Sequence, residues 1–232
     1  MKTRLILLLL VIPTLAFSQT WDYPVKPESN DWNLLKSNKA KVEACQIPES
    51  VLFGIKTKEL FNICFQYPLL NDIYAFNDLS IGINKLFKDF NGIRELFGRS
   101  NISQLLLEEY RSKLRQQEFL ESEVSDIIKG EFIVSISTIE LFLGLYEMRN
   151  EVDNQIKKEV VEILLEGYEL KKRNPNYYMG IGFVTNIYSR YLIISKVQER
   201  TLDDIGQCGT YGVNEIDKID EESFKYINRI KQ

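Results

Sequence analysis

The chain has no histidine, and this absence excludes more chemistry than any other feature of its composition. Ser-His-Asp triads, Cys-His nucleophiles, His-ligated zinc sites and acid–base catalysis by imidazole all require that residue. Glycine and proline are also scarce, with 12 and 6 residues in a chain of 232, which excludes collagen-like and low-complexity architectures. Carboxylates are the acids that remain for catalysis.

The chain also lacks an excess of basic residues. Its 29 lysines and arginines are outnumbered by 33 aspartates and glutamates, which gives a formal net charge of −4. A protein that binds nucleic acid through a basic face needs the opposite balance, so we expect no nucleic-acid partner. The apolar fraction of 44% and the charged fraction of 27% are typical of a soluble globular protein.

Motifs that hold cofactors or metals are missing or incomplete. Gly180 and Gly182 begin a G-x-G pattern, but Thr185 stands where a dinucleotide-binding loop needs its third glycine. No phosphate-binding loop is present, and the acidic residues within 217–222 lack the spacing of a calcium loop. We therefore expect no cofactor and no metal ion.

The first eighteen residues have the order of a secretory signal peptide. Lys2 and Arg4 precede the apolar run 5–12, and residues 16–18 provide the small side chains for cleavage before Gln19. The alternative is a membrane anchor, which needs about 20 apolar residues, many more than this run provides. We expect residues 1–18 to be removed by a cut after Ser18, giving a secreted or periplasmic protein.

No later segment is predicted to span a membrane. The most apolar one, 132–148, is interrupted by polar side chains typical of a buried core segment: Ser135, Ser137, Thr138, Glu140 and Glu147.

Export would place the three cysteines, Cys45, Cys64 and Cys208, in a compartment that permits disulfides. Three cysteines allow at most one internal pair, for which Cys45 and Cys64 are candidates. The alternative is that all three are buried thiols with a packing role.

Apolar periodicity predicts helices almost throughout residues 31–232, which we interpret as a single helical domain after an extended N-terminal arm, 19–30. We expect an all-α fold of about eight to ten helices in an irregular α–α layered or solenoid-like arrangement. Residues 69–174 contain no proline, which suits a continuous helical stack, and no internal repeat has a convincing period. The arm contains Trp21 and Tyr23, which either fill a groove of the domain, the interpretation we favour, or form an exposed strip.

Four residues that each precede an apolar stripe are predicted helix N-caps: Asp31, Thr57, Asn101 and Asp220. The first of these helices is expected to stop before Pro48. Gly130 is predicted to end a helix, and an almost entirely apolar helix, 132–149, to follow it. The segment 151–173 is predicted to end with three basic residues that interact favourably with the helix dipole, Lys171 among them. The segment 183–197 suits a helix or a pair of strands.

The segment 67–77 is the densest mixture of aromatic and polar residues between two predicted helices. Tyr67, Asp72, Tyr74 and Asn77 are our candidate partner-binding residues, because they could line a groove with Asp72 as its polar contact. The alternative is a tight helix–helix corner in which Asp72 and Asn77 hydrogen-bond to backbone amides.

Part of the chain resembles a known group of proteins. The likeness lies within about the first third of the chain that follows residue 18 and rests on Tyr23-Pro24, Trp32, Ile47-Pro48, Tyr67-Pro68-Leu69, Asp72, Ala75-Phe76, Phe90-Asn91-Gly92 and Leu96. With these residues the sequence resembles an uncharacterised family of secreted bacterial helical proteins. The resemblance implies export and a helical fold, and it assigns no activity and no functional residue.

Two classes of function remain. The first is a non-enzymatic protein-binding or scaffold module that contacts another protein through a groove or concave face. The second is a hydrolase that acts on cell-wall or host glycans through two carboxylates about 5 to 10 Å apart. Acid pairs such as Glu108 with Glu109 and Asp203 with Asp204 occur throughout the sequence, so they do not discriminate between the two.

Overall fold

The computed structural model describes residues 21–77, 79–116, 120–149, 153–178, 181–197 and 213–229. All regular secondary structure in these ranges is helical, which confirms the all-α prediction. A 3-10 helix spans Leu70–Ala75, and the α-helices are α1 Asn30–Leu34, α2 Asn38–Ala44, α3 Glu49–Gly54, α4 Thr57–Phe65, α5 Leu79–Asp89, α6 Asn91–Phe97, α7 Ile102–Arg115, α8 Asp126–Arg149, α9 Asn154–Arg173, α10 Pro175–Tyr178, α11 Ile181–Val197 and α12 Val213–Arg229.

The described residues form thirteen helical elements, more than the eight to ten that we predicted, and the surplus lies mainly near the start of these ranges. The helix predicted from Asp31 to the residue before Pro48 is two helices, α1 and α2. Each begins after a serine whose hydroxyl accepts a backbone hydrogen bond, Ser29 from Trp32 and Ser37 from Ala40. The prediction of Asp31 as N-cap is therefore wrong, because a serine two residues earlier takes that role.

Of the other three predicted caps, only Asn101 stands at the N-cap position of its helix. Thr57 is the first residue of α4, and its hydroxyl donates to the side-chain oxygen of Asn101 over 2.9 Å. Asn101 stands at the N-cap position of α7 but makes no capping bond with its side chain. Asp220 lies inside α12, which begins seven residues earlier at Val213. In each case a tertiary contact engages the side chain that local sequence assigned to a cap.

The central helix is longer than predicted, because Gly130 lies inside α8 instead of ending a helix. A Cβ at Gly130 would meet no atom within 4 Å, so the packing does not require a glycine there. Ile127 and Ile128, two apolar residues shortly before Gly130 in the sequence, are exposed on the first turn of α8. Hydrophobic pattern alone therefore misplaced the start of the buried helix.

The ambiguous segment 183–197 lies within helix α11. Thr185, Asn186, Ser189 and Arg190 are all fully buried, and their i, i+1, i+4, i+5 spacing places them on one helical face. A strand would have separated neighbouring side chains onto opposite faces, so this polar face exists only as a helix.

The helices pack into layers around α8. It lies against α11 and α7, while α9 and α12 pack on α11. In the N-terminal half, α4 packs on α6 and the 3-10 helix packs on α5. Phe142 of α8 joins the two halves, because its ring makes edge-on contacts with Phe65 and Phe97 at centroid distances of 5.5 and 5.4 Å.

Residues 21–29, which precede α1, lie against the same core. Tyr23 is buried, and its hydroxyl donates to the carbonyl oxygen of Ile63 over 2.9 Å. The Trp21 ring contacts the Tyr23 ring edge-on at a centroid distance of 4.7 Å.

No helix in the described ranges has both the length and the apolar character needed to cross a bilayer. Predictions that concern residues 1–20, Asp203 with Asp204 and Cys208 fall outside those ranges.

Two glycines of α8 give a matched test of this packing. A Cβ at Gly144 would lie 2.6 Å from the Ser189 Cα of α11, whereas Gly130 has open space. We expect Gly144→Ala to lower the free energy of unfolding by about 1–3 kcal/mol because the helices must separate. Gly130→Ala should raise it by up to about 1 kcal/mol through helix propensity. Urea unfolding of both variants measures the difference, and equal effects would contradict the close α8–α11 contact.

Candidate functional site

The four candidate binding residues divide into two pairs. Tyr67 and Asp72 line a shallow depression, open to solvent, between the 3-10 helix and α5. Lys85 and Asp89 of α5 line its other side. Tyr74 and Asn77 do not line it, so the structure brings together only half of the predicted set.

The floor of this depression is a direct contact between two backbones. A Cβ at Gly82 of α5 would lie 2.3 Å from the carbonyl oxygen of Ile73, in the 3-10 helix. Only glycine permits so close an approach. The two walls of the depression are thereby fixed relative to each other.

Tyr67 is held by aromatic packing and has an unused hydroxyl. Its ring stacks on Phe90 at a centroid distance of 4.0 Å and an angle of 3°, and the side chain is 5% exposed. The hydroxyl forms no hydrogen bond with any residue that the structure describes. Burial raises the pKa of Tyr67 above its usual range.

The two carboxylates of the depression differ in their partners. Asp89 forms an ion pair with Lys85 one turn earlier on α5. Asp72 is half-buried and forms no side-chain hydrogen bond or ion pair with a described residue. Because Lys85 neutralises Asp89, the depression keeps one uncompensated negative charge at Asp72.

Tyr74 and Asn77 have other positions. The Tyr74 hydroxyl lies 2.9 Å from the Thr138 hydroxyl of α8, and it is the donor because Thr138 donates to the Val134 carbonyl. Asn77 is exposed beyond the end of the 3-10 helix. The predicted bonds from Asp72 and Asn77 to backbone amides are not formed among the described residues, since the corner is a 3-10 helix that satisfies its amides with main-chain carbonyls.

The sequence did not predict a polar cluster that surrounds Glu140 in the core of the described helices. One carboxylate oxygen accepts hydrogen bonds from the Tyr110 hydroxyl and from Asn186 Nδ2. The other accepts from Lys171 Nζ over 2.7 Å and from the Thr185 hydroxyl over 2.9 Å. A carboxylate has about four acceptor positions, so every position of Glu140 is occupied.

The predicted role of Lys171, a cation that interacts with the helix dipole at the end of α9, differs from its role in the structure. It lies in the last turn as predicted, but it is fully buried and forms an ion pair with Glu140 instead of facing solvent at the helix end. Burial lowers the pKa of Lys171, and the Glu140 carboxylate opposes that change. The Lys171 ammonium also donates to the carbonyl oxygen of Gly182, so it has two acceptors inside the core.

The cluster extends from Glu140 towards α12. Asn186 also donates to the Leu164 carbonyl of α9 and accepts from Arg190 Nε over 3.1 Å. The Arg190 guanidinium lies 4.6 Å from the Tyr168 ring centre and forms an ion pair with Asp220 of α12. Asp220, expected to be a helix cap, instead joins α12 to the core through its ion pair with Arg190.

One sequence signal could have located this cluster. Glu140 is an acid in the most apolar stretch of α8, and a buried acid there needs donors on neighbouring helices. The partners are spread over 76 positions between Tyr110 and Asn186 and carry no local motif. Within the described residues, no group of three or more Asp, Glu, His or Cys is placed to hold a metal ion.

Comparisons with protein-family models, with curated proteins and with solved structures found no match to this chain. The site is therefore interpreted from its own geometry.

Two buried thiols lie in the core beside the depression. Cys45 and Cys64 are both free and fully buried. Burial raises the pKa of Cys45 to about 11 and that of Cys64 well above its usual range. The thiolate is the reactive form, so both side chains are inert in the folded state.

These thiols make stability depend on pH. In the unfolded chain they ionise above about pH 8.5, while in the folded protein Cys45 stays protonated up to about pH 11. The folded state then binds more protons, so the free energy of unfolding should fall as pH rises through this window. Urea unfolding at pH 7.5 and 10.5, in a Cys208→Ser background, measures the loss. Cys45→Ala should show a smaller loss, and an identical loss in both proteins would contradict the assignment.

Proposed function

We propose that the chain is an exported, non-enzymatic protein-binding module whose contact surface is the corner 67–77. The observation that carries this proposal is a pair of unused polar groups in one rigid depression, the Tyr67 hydroxyl and the Asp72 carboxylate. Unsatisfied groups on a fixed aromatic frame are suited to contact another protein, because little conformational entropy is lost when they bind. The signal-like residues 1–18 are the basis for export.

The attachment of the corner to the core supports this role. The Tyr74 hydroxyl fixes the 3-10 helix to α8, the Gly82 contact fixes it to α5, and the Phe90 ring fixes Tyr67. Side chains held in this way keep their positions before a partner arrives. Preorganisation of this kind raises affinity without adding contact area.

The competing proposal, a glycan hydrolase, has less support from the same residues. It needs one free acid and one free carboxylate on either side of a substrate. In the depression, Asp89 is engaged with Lys85, which leaves Asp72 without a second free carboxylate among the residues that line it. Glu140 is completely buried and has all its acceptor positions filled.

Site-specific photocrosslinking tests the binding surface. A p-benzoylphenylalanine at Asn77, beside the depression, should crosslink a discrete protein from the envelope or medium of the native host. The matched control carries the same group at Phe224, which is 58% exposed on α12 and lies on a helix that packs against α9 and α11. We expect the crosslink from position 77 and not from position 224.

A competition experiment shows whether the crosslink from position 77 is specific. Unlabelled wild-type protein should suppress the crosslink from position 77, since both forms compete for one partner. Crosslinks of equal intensity from both positions, or none from position 77, would contradict the corner as the contact surface. Release of sugar from cell-wall or host glycans by the purified protein would favour the hydrolase instead.

A further inference from the structure

From the charges of the core we infer that the face of α9 and α11 beneath α12 is a docking groove for an acidic amphipathic helix, which α12 fills from within the chain. Among the described residues, the buried side chains that carry a charge are Glu140, Lys171 and Arg190. Glu140 pairs with Lys171, so the described helices that precede α12 provide no acid for Arg190. A buried charge needs an opposite charge, and Asp220 of α12 supplies it.

The Arg190 guanidinium has a fixed position and one free donor. Its Nε donates to the side-chain oxygen of Asn186 over 3.1 Å, and its carbon lies 4.6 Å from the centre of the Tyr168 ring. Nη1 donates to Asp220, whereas Nη2 has no hydrogen-bond partner among the described residues. Arginine is able to bind a carboxylate through two nitrogens at once. The groove therefore holds a preorganised cation that α12 satisfies only in part.

The contacts of α12 define the kind of helix that fits the groove. The described side chains of α12 that are buried share one helical face, with i, i+4, i+7, i+8 spacing: Ile219, Ser223, Tyr226 and Ile227. Ile219 packs against Tyr168 of α9 and Ile187 of α11. Asp220 follows Ile219 in the sequence, and its side chain is 24% exposed. A fitting partner is thus an amphipathic helix that carries a carboxylate next to its apolar stripe.

The charges of α12 also show how a second helix competes with it. Its 17 residues include five acids and three bases. Asp220 reaches across to Arg190, whereas Lys225 pairs with Glu221 and Glu222 of the same helix. A separate helix that makes the same contacts competes with α12, and α12 has the advantage that it is attached to the chain. Weakening α12 should therefore open the groove to such a helix.

A synthetic helix tests the groove in the full chain. The probe is the acetylated and amidated peptide of residues 213–229, added to ¹⁵N-labelled protein. In the Asp220→Asn chain α12 no longer neutralises Arg190, so the peptide should shift the Nε–H signal of Arg190 and the amide signal of Ile187 saturably. The same peptide should bind the wild-type chain at least about tenfold more weakly, because the attached α12 keeps its carboxylate.

Two peptide variants of equal charge locate the contact. The peptide variant Asp220→Asn loses the carboxylate that pairs with Arg190 and should bind the Asp220→Asn chain at least about tenfold more weakly. The peptide variant Asp217→Asn loses an exposed carboxylate and should bind as the unmodified peptide does. Equal binding of the two variants, or no saturable shift at Arg190 and Ile187, would overturn the inference.

A second chain variant keeps the test valid if Asp220→Asn does not fold. Ile219→Ala removes an apolar contact of α12 and keeps the ion pair, and its ¹H–¹⁵N spectrum shows whether the chain is folded. The unmodified peptide should bind this variant more tightly than it binds the wild-type chain, and equal affinities would contradict the groove. The groove lies on other helices than the corner 67–77, so this result does not depend on the proposed contact surface.

Discussion

A buried carboxylate with four donors, Glu140, is the constraint on which the helical arrangement depends. Tyr110 reaches it from α7, Lys171 from α9, and Thr185 and Asn186 from α11. A charge in the core is costly unless it is paired and hydrogen-bonded, so any arrangement that misplaces one of these helices leaves a charge or a polar group unsatisfied. Apolar contacts supply the driving force for packing, and this cluster selects one register among the many that apolar stripes allow.

The same helix that carries Glu140 also supports the candidate site. Thr138, two residues earlier on α8, accepts the hydroxyl of Tyr74 and so fixes the 3-10 helix to the core. At the floor of the depression, Gly82 brings α5 into backbone contact with the 3-10 helix. The Tyr67 hydroxyl and the Asp72 carboxylate are therefore presented from a rigid frame. Core and surface differ in one respect: the acid in the core has all its partners, while the acid at the surface has none among the described residues.

The sequence predicts much of the fold and little of the polar chemistry inside it. Helical periodicity gave the all-α class, since apolar side chains recur on one face of nearly every segment. It misplaced the cap at Asp31, because Ser29 two residues earlier makes the capping bond, and the cap at Asp220, which lies inside α12 and pairs with Arg190. It also misplaced the helix end at Gly130, which lies inside α8. Tyr67 and Asp72 were chosen from composition and do line the same depression. Tyr74, from the same set, instead hydrogen-bonds to Thr138 of α8. The partners of Glu140 are far apart in sequence, and no local pattern could have grouped them.

A double-mutant cycle between Glu140 and Lys171 tests the central constraint most directly. The cycle compares the free energies of unfolding of Glu140→Met, Lys171→Met and the double variant by urea titration, with a stabilising osmolyte in all samples. Each single variant should lose about 3–5 kcal/mol, because it leaves the opposite charge buried and unpaired. The double variant should lose at least about 2 kcal/mol less than the sum of the two. Losses that simply add would contradict the account, since the two side chains would then contribute independently.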